Sequence, residues 1–261
     1  MLHIGPLVTG ELLKRPSARC KTPYVADVHV DALGHDVLAH SPSLGCCGLV
    51  DRGTRCTMLL GELDPATSKT CTHRIEFVEL PDTHVVLCVN PKVSEELTEA
   101  AFVNDAFPEV VGNLNGSKAL SREVSFQVHD DEKSRFDFAG VDAAGRRFVL
   151  EVKSVPLVGE DGVSYFPDGF RKKKGDVVSP RALKHIQHLE AMVAKGYDAY
   201  LVFCVQRGDS KGFRVSEGDP VYRAAVHKAR DNGVKILVLY VHWALVDGFA
   251  HCLLERVELY N

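Results

Sequence analysis

The strongest constraint on this chain is a pair of alternating segments around one turn. Arg135-Phe136-Asp137-Phe138 leads in, and Phe148-Val149-Leu150-Glu151-Val152-Lys153 leads out. Between them, Asp142-Ala143-Ala144-Gly145 reads as the turn, with Gly145 able to take a positive φ. A three-residue loop over 143–145 sets Asp142 opposite Arg146 and, counting outward, Asp137 opposite Glu151. Side chains alternate along a strand, so Arg135, Asp137, Glu151 and Lys153 share one face. Phe136, Phe138, Leu150 and Val152 take the other face and belong in a core. Charges in strands that feed a core are expensive to desolvate unless something compensates them. Two readings of the charged face follow. It is a mixed-charge ladder in which Arg135 and Lys153 neutralise the acids, or it is a cation site. In the second case two carboxylates about 5 Å apart repel, a divalent cation relieves the repulsion, and the lysine stands beside it.

Composition narrows the class. The 261 residues are 45% hydrophobic and 25% charged, the balance of a soluble globular protein. That length fits one large domain or two smaller ones. A net charge of -4 gives no global attraction to nucleic acid, so any such contact must come from a local patch. One basic run stands out, Arg171-Lys172-Lys173-Lys174. No apolar stretch approaches the roughly 20 residues of a membrane span. The N-terminal residues lack a basic stretch followed by a long apolar one, so a soluble, intracellular protein is expected, neither membrane-bound nor secreted. The eight cysteines include no Cys-x-x-Cys pair and read as reduced thiols. A zinc site drawn from Cys46, Cys47, Cys56, Cys71 or His73 is a further reading, without the customary ligand spacing.

The first part of the chain reads as all-β. Short strand patterns over 22–31, 36–39, 55–60, 73–80 and 83–89 are punctuated by Gly and Pro, and suggest a small barrel such as an OB-fold. The remainder changes character. Ser94 looks like the N-cap of a helix reaching Phe102. Strands follow over 123–128, 134–139 and 147–155. A helix from Pro180, capped by Ser179, carries an apolar stripe of Leu183, Ile186, Leu189, Met192 and Val193. Buried strands over 198–206 and 234–241 flank a second helix over 220–230. The order αβββαβαβ predicts a mixed sheet flanked by helices.

Several motifs then resemble one family. Ser134-Arg135-Phe136-Asp137-Phe138, Glu151-Val152-Lys153, Tyr165-Phe166-Pro167-Asp168, Lys184-His185, Val205-Gln206-Arg207-x-Asp209 and Asp219-Pro220-x-Tyr222 occur in the order of the sugar fermentation stimulation (SfsA) family. Ala26-Asp27-Val28, His40-x-Pro42 and Gly45 extend the likeness upstream. The resemblance implies an N-terminal OB-fold barrel over 1–88 and an α/β domain of the PD-(D/E)xK nuclease type over 89–261. It also implies binding to nucleic acid, DNA first. Carried over by position, Asp137 and Glu151 are metal-binding acids for Mg²⁺ or Mn²⁺, Lys153 is the catalytic lysine, and Glu123 is a third acid. Asp168 would support the site. Arg135, Lys184, His185 and the run Arg171, Lys172, Lys173 and Lys174 are candidates for nucleic-acid contact. The chain departs from the family pattern at Thr22-Pro23, Ser43-Leu44-Gly45 and Ser68-Lys69-Thr70-Cys71. These departures take positive charge off the expected nucleic-acid face of the barrel, where phosphate contacts supply most non-specific affinity. The expected activity is metal-dependent phosphodiester cleavage. The alternative is a DNA-binding regulatory protein that keeps the fold and cuts nothing.

Overall fold

The computed structural model describes residues 2–43, 48–51, 53–104, 106, 120–142, 144–167, 169 and 177–261. The chain separates into two compact units. One comprises Met1–Val93, Gln206–Ser210 and Tyr240–Glu255; the other comprises Ser94–Val205, Lys211–Leu239 and Arg256–Asn261. The expected division is a single one, after residue 88. Here the first cut falls after Val93, and two later segments return to the first unit.

The first unit holds β1 (His3–Ile4), β2 (Leu7–Lys14), β3 (Val25–Val30), β4 (His35–His40), β5 (Thr57–Glu62), β6 (His73–Glu79) and β7 (Val86–Cys88). Strands β4, β3, β2, β5 and β6 pair in that order and antiparallel. A parallel pairing of β4 with β6 then closes the circuit. Inward positions on these strands make one core, including Val28, Val37, Met58, Leu60, Ile75 and Val78. Trp243 is 2% exposed; its indole N–H donates to Gln206 Oε1 at 3.0 Å, and its ring meets Phe77 edge-on.

Strand β2 carries no clear strand pattern in the sequence, because Gly10 interrupts it and glycine weakens a strand. The interruption is what allows the strand. A Cβ at Gly10 would lie 2.6 Å from Val28 Cγ1 and 2.7 Å from the His29 carbonyl oxygen. The neighbouring backbone therefore comes too close for any larger residue.

The second unit contains most of α1 (Pro91–Val103), then β8 (Leu120–His129), β9 (Glu132–Val141), β10 (Arg147–Val155), β11 (Val163–Phe166), α2 (Pro180–Ala194), β12 (Asp198–Val205), β13 (Gly212–Val215) and α3 (Pro220–Asp231). Two long strands, β14 (Lys235–Val246) and β15 (Phe249–Leu259), contribute their Lys235–Leu239 and Arg256–Leu259 portions. The sheet runs β14-β12-β10-β9-β8, with β11 and β13 pairing parallel apart from it. The mixed α/β sheet expected from sequence is therefore present. Helix α1 begins one turn earlier than predicted. Asn90 Oδ1 accepts from Lys92 N, Pro91 takes the opening position, and Ser94 is buried inside the helix. The other two helices start as predicted. Ser179 Oγ accepts from Ala182 N, and Asp219 Oδ1 accepts from Tyr222 N at 3.0 Å.

Candidate metal and active site

Strand β10 lies between β9 and β12, and its residues Phe148–Val152 are all buried. It runs parallel to β12, from Phe148 opposite Asp198 to Val155 opposite Val205. Cover on both faces explains its near-continuous apolar sequence. Glu151, only 2% exposed, is the exception to that sequence.

The hairpin has the predicted register. Arg147 pairs with Val141, Phe148 with Gly140, Val149 with Ala139, and Leu150 with Phe138. The turn is held by Asp142, whose Oδ1 accepts from Ala144 N and Arg146 N while Oδ2 accepts from Arg146 Nε at 2.8 Å. Gly145 takes φ 79°, as the turn requires. One step beyond Leu150, Asp137 stands across from Glu151. There a side chain takes over from the backbone ladder, and Asp137 Oδ2 accepts from Val152 N at 2.7 Å.

Glu151 is held from one side. Lys153 Nζ lies 2.5 Å from Glu151 Oε1, and His185 Nδ1, from α2, contacts the same oxygen. Lys153 Nζ and His185 Nδ1 are 3.3 Å apart, and both donate toward Oε1. Helix α2 presents His185 there because Ala182, Ile186, Leu189 and Met192 fix its rotation by packing inward. Glu151 Oε2 is buried and has no hydrogen-bond partner. A carboxylate oxygen without a partner away from water is costly.

The two acids titrate in opposite directions. Burial, reinforced by the charge of Glu151, pushes the Asp137 carboxyl up to about 7. Burial would also raise Glu151, but the Lys153 charge and the His185 hydrogen bond outweigh it, and that carboxyl lies below its ordinary value. Glu95, one turn into α1, adds negative charge at Asp137. Glu95 carries no site signal in the sequence; its half-buried position on the helix is what brings it to bear on the site.

The other candidates are placed as follows. Glu123 is flanked by the pairs Arg122–Phe138 and Val124–Phe136, which puts it across from Asp137. Its backbone takes φ 52°, and its carboxylate lies 3.2 Å from Arg135. Left-handed backbone at a non-glycine residue carries strain of the kind that gathers at functional sites. Lys184 is exposed and bonds Glu132 Oε1 at 2.6 Å. His185, a candidate for nucleic-acid contact, bonds Glu151 Oε1. Asp168 and the run Arg171, Lys172, Lys173 and Lys174 lie outside the described residues, as do Gly45, Cys46 and Cys47.

Among the described residues no group of three or more His, Cys, Asp or Glu side chains is arranged to hold a metal ion. The donors of the Asp137–Glu151 pair are all carboxylate oxygens, the donor type of hard divalent cations. Magnesium in particular is commonly held by one or two carboxylates with waters and substrate oxygens completing its shell. The bare Glu151 Oε2 and the raised Asp137 carboxyl are the two features a cation would relieve.

A family model described as "Sugar fermentation stimulation protein RE domain" matches residues 92–245. A curated sugar fermentation stimulation protein homolog of Brucella anthropi is 30% identical over 244 residues, covering 93% of this chain and 94% of the relative. A homolog of Thioalkalivibrio sulfidiphilus is 32% identical over 216 residues, covering 82% of each. Among solved structures, Pyrococcus furiosus SfsA in complex with Ca²⁺ superposes with a TM-score of 0.75 at 18% identity, covering 98% of this chain and 96% of that one. The chain belongs to the sugar fermentation stimulation protein (SfsA) family.

Proposed function

We propose that this protein is a divalent-cation-dependent phosphodiesterase acting on nucleic acid, with DNA as the first substrate to test. The observation that carries this reading is the pairing of half-buried Asp137 with buried Glu151, with one oxygen of Glu151 lacking a partner and a lysine beside it. In this reading the closed circuit of β2–β6 is an OB-fold, and the α/β unit is of the PD-(D/E)xK type. The Ca²⁺ bound by the Pyrococcus furiosus protein supports a cation in the same fold.

Asp137 and Glu151 would hold Mg²⁺ or Mn²⁺. When bound, the cation supplies Lewis-acid stabilisation of the phosphate oxygens and lowers the pKa of a water. Lys153 carries its positive charge into this site, where an ammonium offsets charge developing on the scissile phosphate. His185 holds Glu151 Oε1, leaving Oε2 for the cation. Asp137 keeps its orientation through the Val152 N–H.

The test is cleavage of single-stranded, duplex and branched DNA with Mg²⁺, Mn²⁺ or chelator. Metal-dependent products that vanish with chelator are expected. No cleavage of any substrate at any metal concentration, with protein that is folded and binds Mn²⁺, would overturn the catalytic assignment. One observation favours the second reading, a DNA-binding regulator that cuts nothing: Lys153 is already held in an ion pair with Glu151. Salt-sensitive filter binding without cleavage would select it.

A further inference from the structure

An open cavity of about 550 Å³ lies in the first unit, within the size range of small-ligand sites. Three stretches line it: residues 20–25 leading into β3, His40 at the end of β4, and the 63–71 connection between β5 and β6. Each stretch is fixed by hydrogen bonds. Ser41 N donates to Tyr24 O at 2.8 Å, which ties the first stretch to the end of β4. Asp27, 7% exposed, accepts from Ser17 Oγ at 2.6 Å and from Ala18 N at 2.7 Å, and so holds the approach to Cys20. Leu63 N donates to Thr72 O at 2.8 Å and closes the connection; within it Ser68 Oγ donates to Cys71 O at 2.7 Å. The walls therefore stand ready before any ligand arrives.

The lining selects the occupant. Tyr24, 39% exposed, holds its ring beside that of His40, with centroids 6.4 Å apart and planes 20° from parallel. Burial, reinforced by the Arg74 charge, holds the His40 imidazole below its ordinary value, and burial pushes the Cys71 thiol up, so both are neutral at pH 7. Thr22 and Thr70 add hydroxyls, groups that both donate and accept. Among the described residues that line the cavity none is a carboxylate, and Lys69 is the one charged side chain. Lys21, also exposed, is the sequence neighbour of Cys20 and Thr22. Such a lining offers nothing to a cation. It suits a flat, neutral ring with polar edges that carries an anionic group beside it, which is the chemistry of a nucleotide. Bases stack on exposed aromatic side chains, and positive groups follow the phosphates.

Resting on the nucleic-acid reading above, we propose that this cavity takes one unpaired base of a single strand: the base stacks on Tyr24, its polar edge meets the hydroxyls of Thr22 and Thr70, and the adjoining phosphate lies at Lys69. A base inside a duplex has both faces stacked and its pairing edge engaged, so it cannot enter. Stacking is open to every base, because each has a π-face. The subsite consequently selects for strandedness and not for sequence. The substrate class that follows is nucleic acid with a single-stranded stretch.

The experiment measures binding by fluorescence anisotropy, in chelator, with the full-length wild type, Tyr24→Ala, Tyr24→Phe and Lys69→Ala. The probes are a short thymidine strand, an abasic strand with the same number of phosphates, a duplex of the same length, and thymidine monophosphate as competitor. The wild type is expected to bind the intact strand about tenfold more tightly than the abasic one. Tyr24→Ala should abolish that difference and Tyr24→Phe should keep it, with duplex affinity unchanged in both. Lys69→Ala should weaken the intact and abasic strands alike. Unaltered affinity of Tyr24→Ala for the intact strand overturns the proposal, as does an equal loss on intact and abasic strands. Thymidine monophosphate binding as tightly as the strand also overturns it, since the site would then serve a free nucleotide. Tyr24-dependent binding without cleavage at any metal concentration counts against the phosphodiesterase reading alone. Metal-dependent cleavage by a protein that binds intact and abasic strands equally counts against the subsite alone.

Discussion

Asp137→Asn is expected to make the metal-free protein more stable at neutral pH while removing its response to cations. In the wild type, burial and the facing Glu151 raise the Asp137 carboxyl to about 7, far above the usual carboxylate range. Between the ordinary unfolded value and about 7, the folded protein therefore binds more protons than the unfolded chain. Stability from this group is present at low pH and is lost as pH rises across that window, by up to about 1.4 kcal/mol per unit. Asparagine keeps an oxygen to accept from Val152 N and carries no charge. The wild type in chelator should consequently lose more stability than the variant between pH 5 and pH 7.5. Saturating Mn²⁺ should reverse the order: a cation at 100 times its Kd stabilises the wild type by about 2.7 kcal/mol and leaves the variant unchanged. Metal-dependent cleavage should fall at least about 100-fold, the upper range seen even for residues one shell removed from a metal. Thermal melting against pH, with chelator or Mn²⁺, is the measurement. Parallel profiles for the two proteins would refute the assigned titration.

Gly10→Ala should be among the most damaging single substitutions in the first unit. The added methyl would meet the His29 carbonyl oxygen at 2.7 Å and Val28 Cγ1 at 2.6 Å, with Leu60 Cδ1 at 3.3 Å. A side chain can turn away, but the His29 carbonyl is part of β3, which pairs with β2 at Glu11–His29 and Leu12–Val28. Relief requires prising those strands apart in the middle of the unit's core. Overpacking of this kind costs about 1–3 kcal/mol and more where backbone must move. The expected result is a loss of about 3 kcal/mol or insoluble expression, read by chemical denaturation. A loss below about 1 kcal/mol would mean that the two strands separate more readily than their pairing implies. Gly145→Ala, where φ is 79° but a Cβ would meet open space, serves as the milder comparison.

The hairpin was legible because each of its signals was local. The turn chemistry of Asp142 and Gly145 fixed the register, and alternation fixed the faces. The long helices were equally legible, since Ser179-Pro180 and Asp219-Pro220 announce their starts. Strand β2 was hidden because its glycine has a long-range cause, the approach of β3. The start of α1 was misplaced because Asn90-Pro91 and Ser94 are competing caps, and burial of Ser94 decides between them. The role of His185 was invisible for the same reason: 34 residues separate it from Glu151, and only the crossing of α2 over β10 brings them together. The bare Oε2 of Glu151 has no sequence signal at all, because being unpaired is a property of the packed interior.

The bond from Val152 N to Asp137 Oδ2 has an evolutionary consequence. It makes position 137 answer to two selections at once, one for closing the hairpin and one for chemistry. Position 151 answers to chemistry far more than to folding, since a buried acid with an unpaired oxygen is tolerated only where it is used. A lineage that abandoned catalysis would thus be expected to keep an acceptor at 137 long after it had replaced the glutamate. Within the family, descendants that retain the aspartate but have traded Glu151 and Lys153 for apolar residues would mark retired sites.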